Sequence, residues 1–236
     1  MGYPIDNDYY IDRKPELLKK FEKEAKYWSP LIVTKYGEIQ TYKILQDTRQ
    51  EFENLIPQIP YIGGKDNNFT KNLLDSVCYL ALYKAMKKFD KTVEEVGRIL
   101  YNACVIKYSE PLQIPPGQRL STERLMERSR KAAARSQEKR YPGDYVYTFV
   151  DGHGKKFDNG LDFTECASLK FYQAHGADEL LPFYCYLDFV AAKARGFGFT
   201  RTMTLYEGHG KCNHRFKAGG KTKAEWPPPF LKGKKR

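Results

Sequence analysis

Apolar positions recur every three to four residues through most of the first 140 residues, and this period predicts helices. Pro15 to Trp28 places Leu17, Leu18, Phe21 and Ala25 on one stripe behind a proline suited to a first helical turn. Leu31 to Leu55 continues the period with Ile39, Tyr42, Leu45 and Phe52, so two helices are expected with Ser29-Pro30 between them. The segment from Pro57 to Gly64, which contains IPYIGG, has the chemistry of a turn and loop. Asn68 or Thr70 is placed to cap the next helix, which runs to about Phe89. Asp90 or Thr92, with Glu94 and Glu95 in the first turn, opens another that reaches about Tyr108. Pro111 to Gly117 breaks the chain, and Ser121 to Lys139 reads as a charged helix with a thin apolar stripe.

After Tyr141-Pro142-Gly143 the period shortens to two. Tyr145, Tyr147 and Phe149 alternate as in a strand, and Leu161 to Cys166 forms a second one beyond the Gly152-His153-Gly154 turn. Ala177 to Arg195 returns to a helix closed by Gly196. Phe199 to Tyr206 and Lys211 to Phe216 then flank Glu207-Gly208-His209-Gly210, the pattern of a β-hairpin. The end of the chain, with three successive prolines and many lysines, reads as a flexible tail. The fold class expected is α+β: a helical N-terminal half packed on a C-terminal, mainly antiparallel sheet with helices. The divisions expected are a helical region over 1–140, an α+β region over 141–217 and a basic tail over 218–236, the first two forming one composite domain.

Charge refines this picture without redirecting it. The net charge of +11 comes entirely from two segments: Arg119 to Arg140 contributes +5 and Lys217 to Arg236 contributes +6. The remainder is neutral, so a solvated helix and a basic tail account for the charge, and no nucleic-acid partner is expected. No apolar run approaches a membrane span and the N-terminus lacks the pattern of a secretory signal, so a cytoplasmic protein without a membrane partner is expected. Five cysteines, an odd number without close spacing, are expected as free thiols. Cys78 and Cys104 sit among apolar helix residues and read as core.

The groups that could carry chemistry concentrate in the C-terminal half. Glu165 and Cys166 end a strand, and Cys185 and Asp188 lie three apart on one helix face. Arg201 and Thr204 are placed on the first hairpin strand. Cys212 and His214 are expected to point to one side of the second, with Asn213 and Arg215 on the other. Asp188 on an apolar helix face reads either as a general base or as half of a structural ion pair with Arg201 or Arg215. If a metal were bound, Cys185, Cys212 and His214 would suit zinc; otherwise no cofactor is expected.

The stretches ECASLKFYQAHGADELLPFYCYLD and TRTMTLYEGHGKCNHRFK resemble the C-terminal signature of the L-2-amino-thiazoline-4-carboxylic acid hydrolase family. Pro182, Cys185 and Asp188 match its Pro-x-x-Cys-x-x-Asp helix, and Cys212, Arg215 and Phe216 match its final element. IPYIGG and the helix after it resemble the family's N-terminal half. The chain departs from the pattern at Asn213, where the family carries aspartate, and at His214, where it carries an aromatic residue. The arrangement is also similar to the vinyl-reductase-like domain of ligand- and metal-sensing proteins.

What the resemblance implies is a hydrolase that opens a small heterocyclic ring, a cyclic amidine carrying a carboxylate, at either its C–N or its C–S bond. Asp188 is then expected as general base for water, or Cys185 as direct nucleophile. Glu165, Arg201, Thr204, Asn213 and Arg215 are expected to bind the substrate, Arg201 or Arg215 taking its carboxylate. The alternative is a non-catalytic small-molecule or metal-binding sensor. Both readings expect a helix and a hairpin to gather a thiol, a carboxylate and a guanidinium around an enclosed chamber.

Overall fold

The computed structural model describes residues 8–110 and 122–232. The expected break at Pro111–Gly117, Ser121, the first seven residues and the lysine-rich last four lie outside the described residues. The short helix α1 spans Asp8–Ile11 and is followed by α2 (Lys14–Tyr36) and α3 (Glu38–Leu55). The break between these two long helices falls at Gly37 and not at Pro30. Gly37 has φ 77°, which side-chain-bearing residues rarely adopt, so the chain turns there. Pro30 stays inside α2 although it removes one backbone donor. The buried stripe continues across it from Phe21 and Trp28 to Ile32, and that burial holds the helix together.

After the loop at Pro57 to Gly64, α4 (Thr70–Lys88) runs through the middle of the molecule and is buried on almost every side. Neither Asn68 nor Thr70 caps it through a side-chain bond to the first turn. Instead Asn67 accepts the N–H of Phe69 at 2.8 Å and Thr70 donates to the carbonyl of Gly64 at 2.6 Å, which ties the loop to the helix start. Helix α5 (Val93–Ser109) opens with a full capping box: Thr92 accepts from the N–H of Glu95, and Glu95 accepts from the N–H of Thr92. The charged helix α6 spans Thr122–Ser136.

Four strands follow: β1 (Val146–Asp151), β2 (Asn159–Glu165), β3 (Gly198–Thr200) and β4 (Cys212–Lys217). They form one sheet in the order β1-β2-β4-β3, and every pairing is antiparallel. The fold is therefore α+β, as the change of period predicts. Register pairs Tyr147 with Phe163, Phe163 with Cys212, and Phe199 with Phe216. These residues share one face with His214, while Asp162, Asn213 and Arg215 occupy the other. The apolar face joins the helices in one buried cluster that runs from Trp28 and Ile44 through Leu80 to Phe163 and Cys212.

Between β2 and β3 lie α7 (Ala167–Ala174) and α8 (Leu181–Arg195), the latter closed by Gly196 in the left-handed conformation. Helix α7 is not expected from the sequence, because eight residues show too little of a 3.6 period; burial of Ala167, Phe171 and Tyr172 holds it. Strand β3 ends at Thr200, three residues after it begins, so the expected four-residue hairpin turn is instead a long loop over 201–211. The expected flexible tail is also corrected over 218–232. Thr222 accepts the N–H of Phe199 and donates to the carbonyl of Phe197, both at 2.7 Å. Ala224 is 1% exposed, and Trp226 stacks on Phe183. Thr222, Ala224 and Trp226 thus fasten this segment to the body.

Candidate functional site

Helix α8 and the loop after β3 bring three of the expected residues together. Arg201 lies just beyond β3, and its side chain is 5% exposed. Its Nη1 donates to Asp188 Oδ2 at 2.7 Å and its Nη2 donates to the carbonyl oxygen of Cys185, also at 2.7 Å. Nη1 also lies 3.3 Å from Nε2 of His214 on β4. A guanidinium can only donate, so Nε2 must be the acceptor and its ring neutral. Burial, reinforced by the Arg201 charge and opposed by Asp188, pulls His214 down to about 4, which keeps it neutral at pH 7. The faces of Phe189 and Phe199, 5.3 and 5.8 Å from the guanidinium carbon, enclose the cation.

Asp188 is not the buried carboxylate that its apolar helix face suggests. Its side chain is 45% exposed, and Oδ1 has no hydrogen-bond partner among the described residues. The three nearby thiols differ in setting but share one consequence. Burial pushes Cys166 up to about 12, and it raises Cys185 and Cys212 above the ordinary thiol range despite the opposing charge of Arg201 on the latter two. All three are neutral at pH 7, and a neutral thiol is a poor nucleophile. Cys185 therefore enters the cluster through its backbone carbonyl.

The remaining expected residues do not join this cluster. Glu165 is held by Lys139 at 2.8 Å and by Lys170, which keep its carboxyl below the usual range. Thr204 lies in the loop and not on a strand; it is buried and donates to Glu207. Asn213 accepts the N–H groups of Thr202 and Met203 at 2.9 and 2.8 Å and donates to the Thr202 hydroxyl, so its amide pins the loop. Arg215 pairs with Asp162 at 2.6 Å on the far face of the sheet, where Lys211 binds the other carboxylate oxygen at 2.6 Å. Burial works against charge on Asp162, yet Arg215 and Lys211 bring it below the usual range. Arg201 and Arg215 thus serve opposite faces and cannot hold one substrate together.

The expected zinc set does not converge either. Among the described residues no group of three or more His, Cys, Asp or Glu side chains could hold a metal ion. Sγ of Cys212 accepts the N–H of Leu205 at 3.1 Å, and His214 turns Nε2 toward a cation, which would repel a metal.

None of the prominent cavities among the described residues is lined by Cys185, Asp188 or Arg201. The most enclosed measures about 220 Å³ and lies between the Tyr61–Asn68 loop, the end of α6 and the lead-in to β1. Asp144 lines it, held by Asn67 Nδ2 at 2.9 and 2.8 Å from its two oxygens and by the N–H of Tyr145 at 2.6 Å. Sequence patterning missed this place because its residues come from three distant segments that individually read as turns or as a solvated helix. The available signal was Tyr141-Pro142-Gly143 and IPYIGG, two turn motifs rich in aromatic rings. Gly63, with φ 103°, rests against Tyr141: an added Cβ would lie 3.2 Å from that ring.

Among the described residues no helix is long and apolar enough to cross a membrane. The sequence model of the family described as L-2-amino-thiazoline-4-carboxylic acid hydrolase matches residues 71–216, from the start of α4 to the end of β4. No curated protein and no solved structure matches the chain.

Proposed function

This chain belongs to the L-2-amino-thiazoline-4-carboxylic acid hydrolase family, and from that premise we propose that it hydrolyses a small cyclic amidine carboxylate with Asp188 as general base. The family supports a hydrolase role in general; the ring and the residues are this reading's addition. The observation that carries it is the asymmetry of Asp188: Oδ2 is anchored on a buried guanidinium, while Oδ1 has no hydrogen-bond partner among the described residues and the side chain is 45% exposed. Such a carboxylate is fixed in orientation and still able to hold a water and take its proton.

In this reading the water oxygen forms a bond to the amidine carbon, its proton passes to Asp188 Oδ1, and one ring bond to that carbon breaks. The departing ring nitrogen or sulfur takes up a proton as it leaves. Arg201 is a positioning residue, because both of its terminal nitrogens are already engaged with Asp188 and Cys185. Cys185 as a neutral thiol fits the water route better than direct attack.

Turnover of L-2-aminothiazoline-4-carboxylate and related five-membered rings by the full chain tests this. Asp188→Asn keeps the shape and the contact to Arg201 but loses the base, so kcat is expected to fall by about 10²–10⁴-fold at unchanged circular dichroism. Turnover within twofold of the unsubstituted protein would remove Asp188 from the reaction. Ring binding without turnover would favour the sensor over the enzyme.

A further inference from the structure

The cavity at Asp144 contains an electrostatic imbalance. The Asp144 carboxylate is part-buried and receives two neutral donors, the amide of Asn67 and the N–H of Tyr145. No Lys, Arg or His nitrogen lies within 4.0 Å of it among the described residues, although most carboxylates of this molecule have such a partner. A carboxylate that has given up water without gaining a direct ion-pair partner is left under-compensated, and a cation entering the cavity would restore the balance. Burial accordingly holds Asp144 above the usual carboxylate range, against the pull of its two donors and of the Lys170 charge, whose Nζ lies 3.5 Å from the Asp144 carbonyl oxygen.

The rest of the cavity carries a second carboxylate, Asp66, and two arginines, of which Arg140 is paired with Glu138 at 2.6 Å. Arg135, on the last turn of α6, makes only a 3.4 Å contact with the carbonyl of Asp66 among the described residues, so its guanidinium is largely uncommitted. Four tyrosines also line the cavity, Tyr61, Tyr141, Tyr145 and Tyr147, and Tyr61 and Tyr141 meet edge to face with ring centres 5.1 Å apart. A volume near 220 Å³ leaves room for an amino-acid-sized guest.

We propose that this cavity binds a small zwitterion whose ammonium or amidinium group sits against Asp144 and whose carboxylate reaches Arg135, with the tyrosine rings flanking its body. The site stands on its own geometry, whether or not Asp188 carries the hydrolysis. A cyclic amidine carboxylate and the S-carbamoyl amino acid produced by opening its ring C–N bond share this chemistry, and they are the two sources to be separated.

Calorimetric titration of the full chain separates them with three probes: L-2-aminothiazoline-4-carboxylate, the S-carbamoyl-cysteine that opening of its ring C–N bond gives, which keeps a free ammonium, and 2-aminothiazoline, which lacks the carboxylate. At least one of the two zwitterions is expected to bind, and the tighter one identifies the source. Asp144→Asn is expected to weaken all binding tenfold or more. Arg135→Gln, at an exposed rim where folding is not at stake, is expected to weaken the zwitterion tenfold and leave 2-aminothiazoline within twofold. Absence of heat with both zwitterions, or affinities within twofold in both variants at unchanged melting temperature, would overturn the site. The hydrolase reading fails separately, through absent turnover or an indifferent Asp188→Asn.

Discussion

His214 offers a direct measure of how closed the Arg201 cluster is. The ring lies between Phe163 and Phe199, with centres 5.0 and 5.2 Å away, and its Nε2 faces the Arg201 guanidinium. Burial away from water, with the Arg201 charge adding to it and Asp188 opposing, brings the pKa from 6.5 down to about 4. The folded state then binds fewer protons than the unfolded chain between these values. Stability is complete above pH 6.5 and is lost as pH falls toward 4. Two and a half pH units correspond to about 3 kcal/mol at full protonation, of which about 2 kcal/mol is already lost at pH 5. Urea unfolding followed by circular dichroism at pH 7, 6 and 5 reads this loss. His214→Phe, which keeps an aromatic ring and cannot titrate, is expected to lose about 2 kcal/mol less than the unsubstituted protein across that range. The carboxylates and His175 titrate equally in both proteins and cancel in the difference. Parallel losses in the two proteins, or a His214 ring resonance titrating near 6.5 by NMR, would show that the cluster is wet and refute the reasoning.

Two further predictions concern the scaffold. At Gly97 on α5 an added Cβ would fall 2.1 Å from the Phe183 ring on α8, so Gly97→Ala is expected to displace that buried ring. Overpacking of about 1–3 kcal/mol outweighs the roughly 1 kcal/mol of helix propensity gained, and calorimetry should show a melting temperature lower by a few degrees; an increase would mean that the ring moves at no cost. Lys107 lies 2.7 Å from both oxygens of Glu24 and 3.5 Å from Asp75, which Lys20 also holds, making a charge-balanced quartet between α2, α4 and α5. Lys107→Met leaves two nearly buried carboxylates facing one lysine and is expected to cost about 3–5 kcal/mol in urea unfolding, with most of the loss recovered in Glu24→Gln/Lys107→Met; no recovery would mean that packing and not charge is at issue.

Local patterning determined the elements and much of their order. The 3.6-residue period, Asp90 or Thr92 ahead of Glu94 and Glu95, and Gly196 placed the long helices, and alternation placed β1 and β2. These signals are local because helix and strand geometry repeat over a few residues, so neighbours in sequence carry them. On β4 the same alternation correctly put Cys212 and His214 on one side and Asn213 and Arg215 on the other. It could not place helix α7 or the end of β3, which depend on burial by distant partners. Nor could it place Gly37 as the break instead of Pro30.

Only the tertiary structure decided what each polar group faces. That Asp188 would pair with an arginine was legible from residue types, but the choice between Arg201 and Arg215 as its partner was not. That choice depends on which face of the sheet α8 covers, and Arg215 lies on the other one. The same holds for Asp144, an unremarked turn residue in sequence that becomes the part-buried wall of a cavity, without a direct ion-pair partner among the described residues, once the Asn67 loop and α6 close over it. Charge compensation is a property of three-dimensional neighbours. The chain states which groups need it, and the packing of helices on the sheet settles which of them receive it.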